Sequence, residues 1–228
     1  MVTLQILVLS FWVRIPMAQH FTALSSRRQG FFFPLYFDTF AGTSKRDDMK
    51  ILNFRDVPET LHEAVWALYE ESFPAHERRS RKAQETACSD REARSEVMLD
   101  DDGTLMAIMF YWLHGDTVYV EFLAVNPALH GRSIGSRVIG KLLETYPGKL
   151  VVLEIEPPED EMSVRRLHFY ERLGFVRNPH PYTHPSYRKG ADAHPHDLVI
   201  MSHGRPVSDG EFDGFIGFMK DVVWQYAD

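Results

Sequence analysis

Cysteine is almost missing from this sequence: Cys88 is the one thiol among 228 residues. No internal disulfide can form, which points to a cytoplasmic compartment. Cys88 lies in the polar stretch Gln84 to Arg94, with nothing beside it to activate a thiolate, so a catalytic thiol is disfavoured. Positive charge is also scarce. Twenty-five Lys and Arg face 32 Asp and Glu, a net of −7, so neither nucleic acid nor an anionic membrane is an expected partner. A membrane-length apolar run is lacking too. Leu4 to Val13 is apolar but far short of the roughly 20 residues a spanning helix needs. That run also lacks a basic leader and a small-x-small cleavage site, which sets aside a signal peptide. Internal repeats and low-complexity tracts are absent.

What is present divides at Met49. Residues 1–48 hold seven of the sixteen phenylalanines and carry five basic and three acidic residues, +2 against −9 for the remainder. Phe31-Phe32-Phe33-Pro34 has neither helical nor alternating periodicity. We read residues 1–48 as an extension outside the domain, as a start codon placed too far upstream would produce; a targeting or partner-binding segment is the rival. From Lys50 the pattern becomes regular. A short strand leads to a helix for which Asp56 is the expected cap, with Pro58 in its first turn and Leu61, Val65, Leu68 and Tyr69 inward. Residues 77–94, dense in Arg, Lys and Glu, read as solvated. Three strands follow, Val97–Leu99, Thr104–His114 and Thr117–Val125, joined by tight turns into an antiparallel meander. Then Ile134, Val138, Ile139, Leu142, Leu143 and Tyr146 recur at helical spacing, and Lys149–Glu156 reads as a strand. Strand, helix, strand with short links is a βαβ unit, so these two strands should be parallel. Asp160 can cap the next helix, with Gly174 just past its end. Phe175-Val176 and Leu198–Ser202 read as further strands. Ser208-x-x-Glu211 is a capping box that opens a last amphipathic helix.

The chemistry concentrates between a strand end and a helix start, in His130-Gly131-Arg132-Ser133-Ile134-Gly135-Ser136. Unpaired N–H groups and a small-residue turn at a helix N-terminus suit a phosphate. An ordinary strand–helix turn is the bland alternative. Neither the Walker A pattern nor G-x-G-x-x-G is present. His180-x-x-x-His184 and His194-x-His196 lack cysteine partners, so a metal is not expected; a loop bordering the acceptor fits them better.

The order of parts resembles the GNAT superfamily of N-acetyltransferases. Four pieces carry the likeness: Phe122-Leu123-Ala124-Val125, the loop Gly131 to Ser136, Val152-Leu153-Glu154-Ile155-Glu156, and Phe169-Tyr170-Glu171-Arg172-Leu173-Gly174-Phe175. Ser72-Phe73-Pro74-x-x-Glu77-Arg78-Arg79, Leu153 to Pro158 and Tyr187-Arg188-x-Gly190 are similar to an uncharacterised bacterial group within it. His130 and Ser133 depart from the family loop, which has Gln or Arg and a glycine there. Ser163 and Arg166 stand where the family often has Asn and Ala.

The resemblance implies an α/β fold with a mixed sheet, the GNAT acyl-CoA N-acyltransferase fold: the meander, then a splayed parallel βαβ unit. It places the domain at 49–203, with 204–228 as a C-terminal amphipathic helix packed on it. It implies acetyl-CoA as co-substrate in a gap between strands parting beyond Val125 and Glu156. Leu123, Ala124 and Val125 would meet the pantetheine. The pyrophosphate would sit on the amides of Arg132, Ser133, Ile134, Gly135 and Ser136, with His130, Gly131, Ser163 and Tyr170 as further contacts to the cofactor. Tyr170 would protonate the leaving thiolate. Glu121 is the first choice of base, on the strand bearing the oxyanion donor, with Glu154 and Glu156 in reserve. Arg165, Arg166 and Arg188 could hold an anionic group of the acceptor. The acceptor is an amine of a small molecule or a protein, attacking directly in a ternary complex, and a homodimer is left open. A non-catalytic acyl-CoA sensor and a toxin-type enzyme acting on charged tRNA are the alternatives.

Overall fold

A computed structural model describes residues 49–190 and 193–228, so the expectations for residues 1–48 lie outside the described part. The first strand, β1 (Lys50–Asn53), runs into a single 3₁₀ turn, Phe54–Asp56. Asn53 caps that turn by accepting from the Arg55 N–H at 3.0 Å. Asp56 therefore does not cap the helix as the sequence suggested. Val57 and Pro58 stay extended between the turn and α1 (Glu59–Ser72). Val65, Leu68 and Tyr69 are buried along α1, as their spacing predicts, and Trp66 joins them.

The charged stretch is less solvated than its composition suggests. It contains α2 (Arg81–Ala87), capped by Ser80, and the start of β2 (Ala93–Leu99). The meander continues through β3 (Leu105–His114) and β4 (Thr117–Val125). Next come α3 (Ile134–Thr145), β5 (Leu150–Ile155) and α4 (Glu161–Arg172). Asp160 and Ser163 form a capping box on α4, and Gly174 follows it at φ 85°, where a Cβ would press on His203 at 3.1 Å. The rest is β6 (Phe175–Arg177), a small hairpin of β7 (Thr183–His184) and β8 (His196–Asp197), β9 (Val199–His203) and α5 (Asp209–Asp221). The sequence pattern shows only a loop at that hairpin, because two-residue strands carry no periodicity.

Seven strands form one sheet in the order β1-β2-β3-β4-β5-β9-β6. Only β4 and β5 are parallel neighbours; the other pairs run antiparallel. On one face α3 and α4 cover Val118, Val120, Val151, Leu153 and Ile155. On the other face α1 packs on Phe110 and Phe122, and α5 packs on Tyr119 and Val152. Phe215 and Met219 of α5 are buried, while Val222 and Tyr226 are only partly so.

Candidate active site

Two irregularities in β4 create the site. The parallel ladder runs from Thr117↔Leu150 only to Val120↔Leu153. The strands therefore part at Glu121 and Glu154, several residues earlier than Val125 and Glu156. Beyond that point β4 still pairs with β3 and β5 still pairs with β9, so both edges of the gap are held firmly. The second irregularity is a bulge. Tyr111 pairs with Val120 and Phe110 with Phe122, which leaves Glu121 as the extra residue. Its side chain shares the α1/α5 face with Tyr119 and, because of the bulge, with Phe122 as well.

A cavity of about 150 Å³ fills the gap. Of the expected site residues, its wall includes Glu121, Leu123, Val125, His130, Gly135, Glu154, Glu156 and Tyr170. Ala124 and Ile134 turn into the two hydrophobic cores. Ser163 is spent on the α4 capping box and is not on the wall, because its hydroxyl bonds Asp160. Arg165 and Arg166 reach the wall, each paired with an acid, Glu161 and Glu156. Arg188 does not; it binds the Asp228 carboxylate at 2.7 Å and the Ala75 carbonyl. The histidines disperse. His180 pairs with Asp209, while His184 and His196 line the cavity.

At one end lies the α3 N-terminus. Gly131 has φ 82° and Ser133 has φ 56°, the only non-glycine at positive φ among the described residues. Ser133 makes no side-chain cap, so the first N–H groups of α3 are left for another partner. An ideal Cβ on Gly135 would lie 3.3 Å from the Phe169 ring, so the helix start fits closely against α4. His130 donates from Nε2 to the Val125 carbonyl at 3.1 Å and ties the loop to the strand end. Ser133→Gly should raise stability by about 0.5–1 kcal/mol, since relief of a left-handed serine outweighs the added chain entropy. A urea titration showing a loss would mean that the Ser133 side chain holds the loop in place.

At the other end sit the carboxylates. Glu121 forms an ion pair with Arg79 at 2.7 Å, with side-chain exposures of 1% and 0%. It also accepts from Tyr187 Oη at 2.6 Å and Trp112 Nε1 at 2.8 Å. Arg79 in turn donates to Gln84 and to the Val223 carbonyl, and lies over the Tyr187 ring. Burial opposes its charge, yet Glu121 raises its pKa above the usual arginine value. Arg79 and Tyr187 fall within motifs of the family resemblance that assign them no role; in the structure both converge on Glu121. Glu154 differs from Glu121. It accepts from Tyr119 at 3.1 Å through Oε2, while Oε1 is shut off from solvent with no hydrogen bond among the described residues. Burial lifts its carboxyl to about 8, against the pull of the Tyr182 and Tyr119 hydroxyls. Tyr170 also lines the cavity. Burial pushes its hydroxyl up to about 12, with Arg166 pulling the other way.

A deep cleft with an uncapped helix start at one end and acid groups at the other can hold an anionic donor and deprotonate an acceptor. A model of the Acetyltransferase (GNAT) family matches residues 59–175, just over half of the chain. The Bacillus subtilis (strain 168) protein named "Putative acetyltransferase YjbC" is 30% identical over 107 residues, 46% of this chain and 53% of that protein. The match thus spans about half the length of that curated relative. A solved structure titled "Putative acetyltransferase from GNAT family from Bacteroides thetaiotaomicron" is 28% identical, with a TM-score of 0.66, over 78% of this chain and 98% of that one. The Escherichia coli ribosomal-protein-S18-alanine N-acetyltransferase shares the fold, with a TM-score of 0.50 at 17% identity over 71% of this chain and 96% of that one. The chain belongs to the GNAT family of acetyltransferases.

Proposed function

We propose that the protein transfers an acetyl group from acetyl-CoA to an amine, by direct attack in a ternary complex. The observation that carries this reading is the parting of β4 and β5 after Val120 and Leu153, between an uncapped helix start and a set of acid groups. Residues 131–136 would hold the pyrophosphate on main-chain N–H groups. Leu123 and Val125 would offer main-chain hydrogen bonds to the pantetheine arm. Bound there, acetyl-CoA supplies the activated acyl group. Glu154 is the base we favour over Glu121, because three well-formed donors already occupy Glu121, while Glu154 has only the Tyr119 bond at normal distance and the weaker pull of Tyr182. An acid near 8 is well matched to taking a proton close to neutral pH. The Tyr170 hydroxyl stays protonated and its side chain lines the cavity, which supports a role in giving a proton to the departing thiolate.

Acetyl-CoA should raise the melting temperature of the wild type, since a ligand of the native state stabilises it. Ser136→Glu places an anion in the first turn of α3. That suits the helix dipole, so the unliganded protein should melt no lower than wild type. The same charge repels a pyrophosphate, so the acetyl-CoA shift should vanish and affinity should fall about tenfold or more. An unchanged shift in Ser136→Glu would remove the loop from the binding site. Amine-dependent release of free thiol separates an enzyme from a silent acyl-CoA binder.

A further inference from the structure

The cavity wall carries a buried group that the reaction above does not use. His184 is 1% exposed, lines the cavity, and has no hydrogen bond at either ring nitrogen among the described residues. Its position is fixed. It pairs across the β7–β8 hairpin with His196, and its ring packs on Tyr187 with centroids 4.6 Å apart. Tyr182 and Trp224 close in from other sides, at 6.3 and 5.8 Å between centroids. Leaving two imidazole nitrogens without partners is costly inside a protein, so the arrangement calls for a ligand that completes it. Glu154 Oε1, on the same wall, is likewise buried without a well-formed hydrogen bond, the Tyr182 hydroxyl being the nearby donor that pulls on its carboxyl. Phe73, Tyr119, Phe122, Tyr187 and Leu198 supply apolar lining around these two.

We infer that His184 and Glu154 together hold the nitrogen of the acceptor, and that the acceptor is a small primary amine with an apolar body. This rests on the acetyl-transfer reading above. The hairpin supplies His184 and β5 supplies Glu154, so the amine is gripped from the two strands' sides. Burial, with His196 and Arg79 nearby, lowers the imidazole to about 3, so the ring is neutral at working pH. A neutral ring offers one lone pair to an amine N–H and attracts no second charge. The charged groups deeper in are already matched, Arg79 against Glu121. Of the other charged lining groups, Arg165 pairs with Glu161, Arg166 with Glu156, and Glu77 lies beside His76 and Arg166, so a second ammonium or a carboxylate would have to compete with these pairs, whereas an aromatic or alkyl body would rest against the rings.

The test uses the full chain with acetyl-CoA and three primary amines, benzylamine, 1,4-diaminobutane and 4-aminobutanoate, followed by thiol release. Benzylamine should have the highest kcat/KM, by about tenfold or more. In protein carrying ¹⁵N-histidine, benzylamine should shift the His184 ring nitrogens in the presence of CoA. His184→Phe keeps a ring and removes both nitrogens. It should raise the KM for benzylamine about tenfold or more and leave the KM for acetyl-CoA unchanged. His184→Asn, which restores a donor and an acceptor, should recover part of that loss. Equal or better turnover of the two charged-tail amines overturns the acceptor class, as does binding of acetyl-CoA with no release for any of the three. An unmoved benzylamine KM in His184→Phe, or unmoved ring nitrogens in the wild type, overturns the role of His184. Failure of the wild type to bind acetyl-CoA at all is a separate result, and it would remove the acetyl-transfer reading together with this one.

Discussion

Replacing Arg79 by methionine should cost about 3–5 kcal/mol of stability, the usual scale for breaking a buried ion pair. Methionine fills a similar volume, so the loss would not come from a cavity. It would come from Glu121, whose carboxylate is 1% exposed and would keep its charge with only Tyr187 and Trp112 as donors. The Val223 carbonyl would also lose its donor, which loosens the segment after α5. A second variant identifies the cause in urea titrations. The double variant Arg79→Met with Glu121→Gln should regain much of the loss, since it removes both charges together. A loss under about 1 kcal/mol in the single variant, the range of an exposed pair, would mean that Glu121 is satisfied without Arg79.

That pair also marks where reading the sequence stops. Strand β4 was legible to the residue, because Gly115-Asp116 and Asn126-Pro127 bracket an alternating run. The α5 capping box and the glycine after α4 were legible for the same local reason. Arg79 was not, because a charged residue in a charged stretch looks solvated unless its distant partner is known. The bulge at Glu121 is equally hidden. It exists only in the register of β4 against β3, where Tyr111 meets Val120 and Phe110 meets Phe122. The parting of the strands after Val120 depends likewise on which residue of β5 faces Thr117. The resemblance put Glu121 first among the carboxylates, with Glu154 and Glu156 in reserve. The order we propose instead depends on the donors that reach each, three at short distance for Glu121 against the hydroxyls of Tyr119 and Tyr182 for Glu154.

The same difference between the glutamates governs the pH profile. Glu154, held near 8, is mostly protonated at neutral pH, so roughly one molecule in ten carries the base at pH 7. Thiol release should therefore climb with pH through about 8. Glu154→Gln should abolish that rise and lower turnover about 10²-fold near pH 8, the scale of a general base. Its loss should be least near pH 10, where an alkyl amine is already deprotonated. An equal loss at every pH would assign Glu154 to binding and leave the base to another group. Stability supplies a second reading of the same proton. The folded pKa of Glu154 lies above the unfolded one, so its stabilising effect is full below about 4.5 and is lost as pH rises through about 8. Glu154→Gln has no proton to lose, so it should match the wild type near pH 5 and exceed it near pH 9. Tyr170→Phe tests the opposite proton. It keeps the ring contacts with Phe169 and Phe175 and removes only the hydroxyl, so the fold should be unaffected. Turnover should fall about 10²-fold with the KM for acetyl-CoA little changed, because the hydroxyl acts mainly as the thiolate departs. Full turnover in Tyr170→Phe would mean that the thiolate leaves without its help, and the acid would then have to be sought elsewhere on the cavity wall.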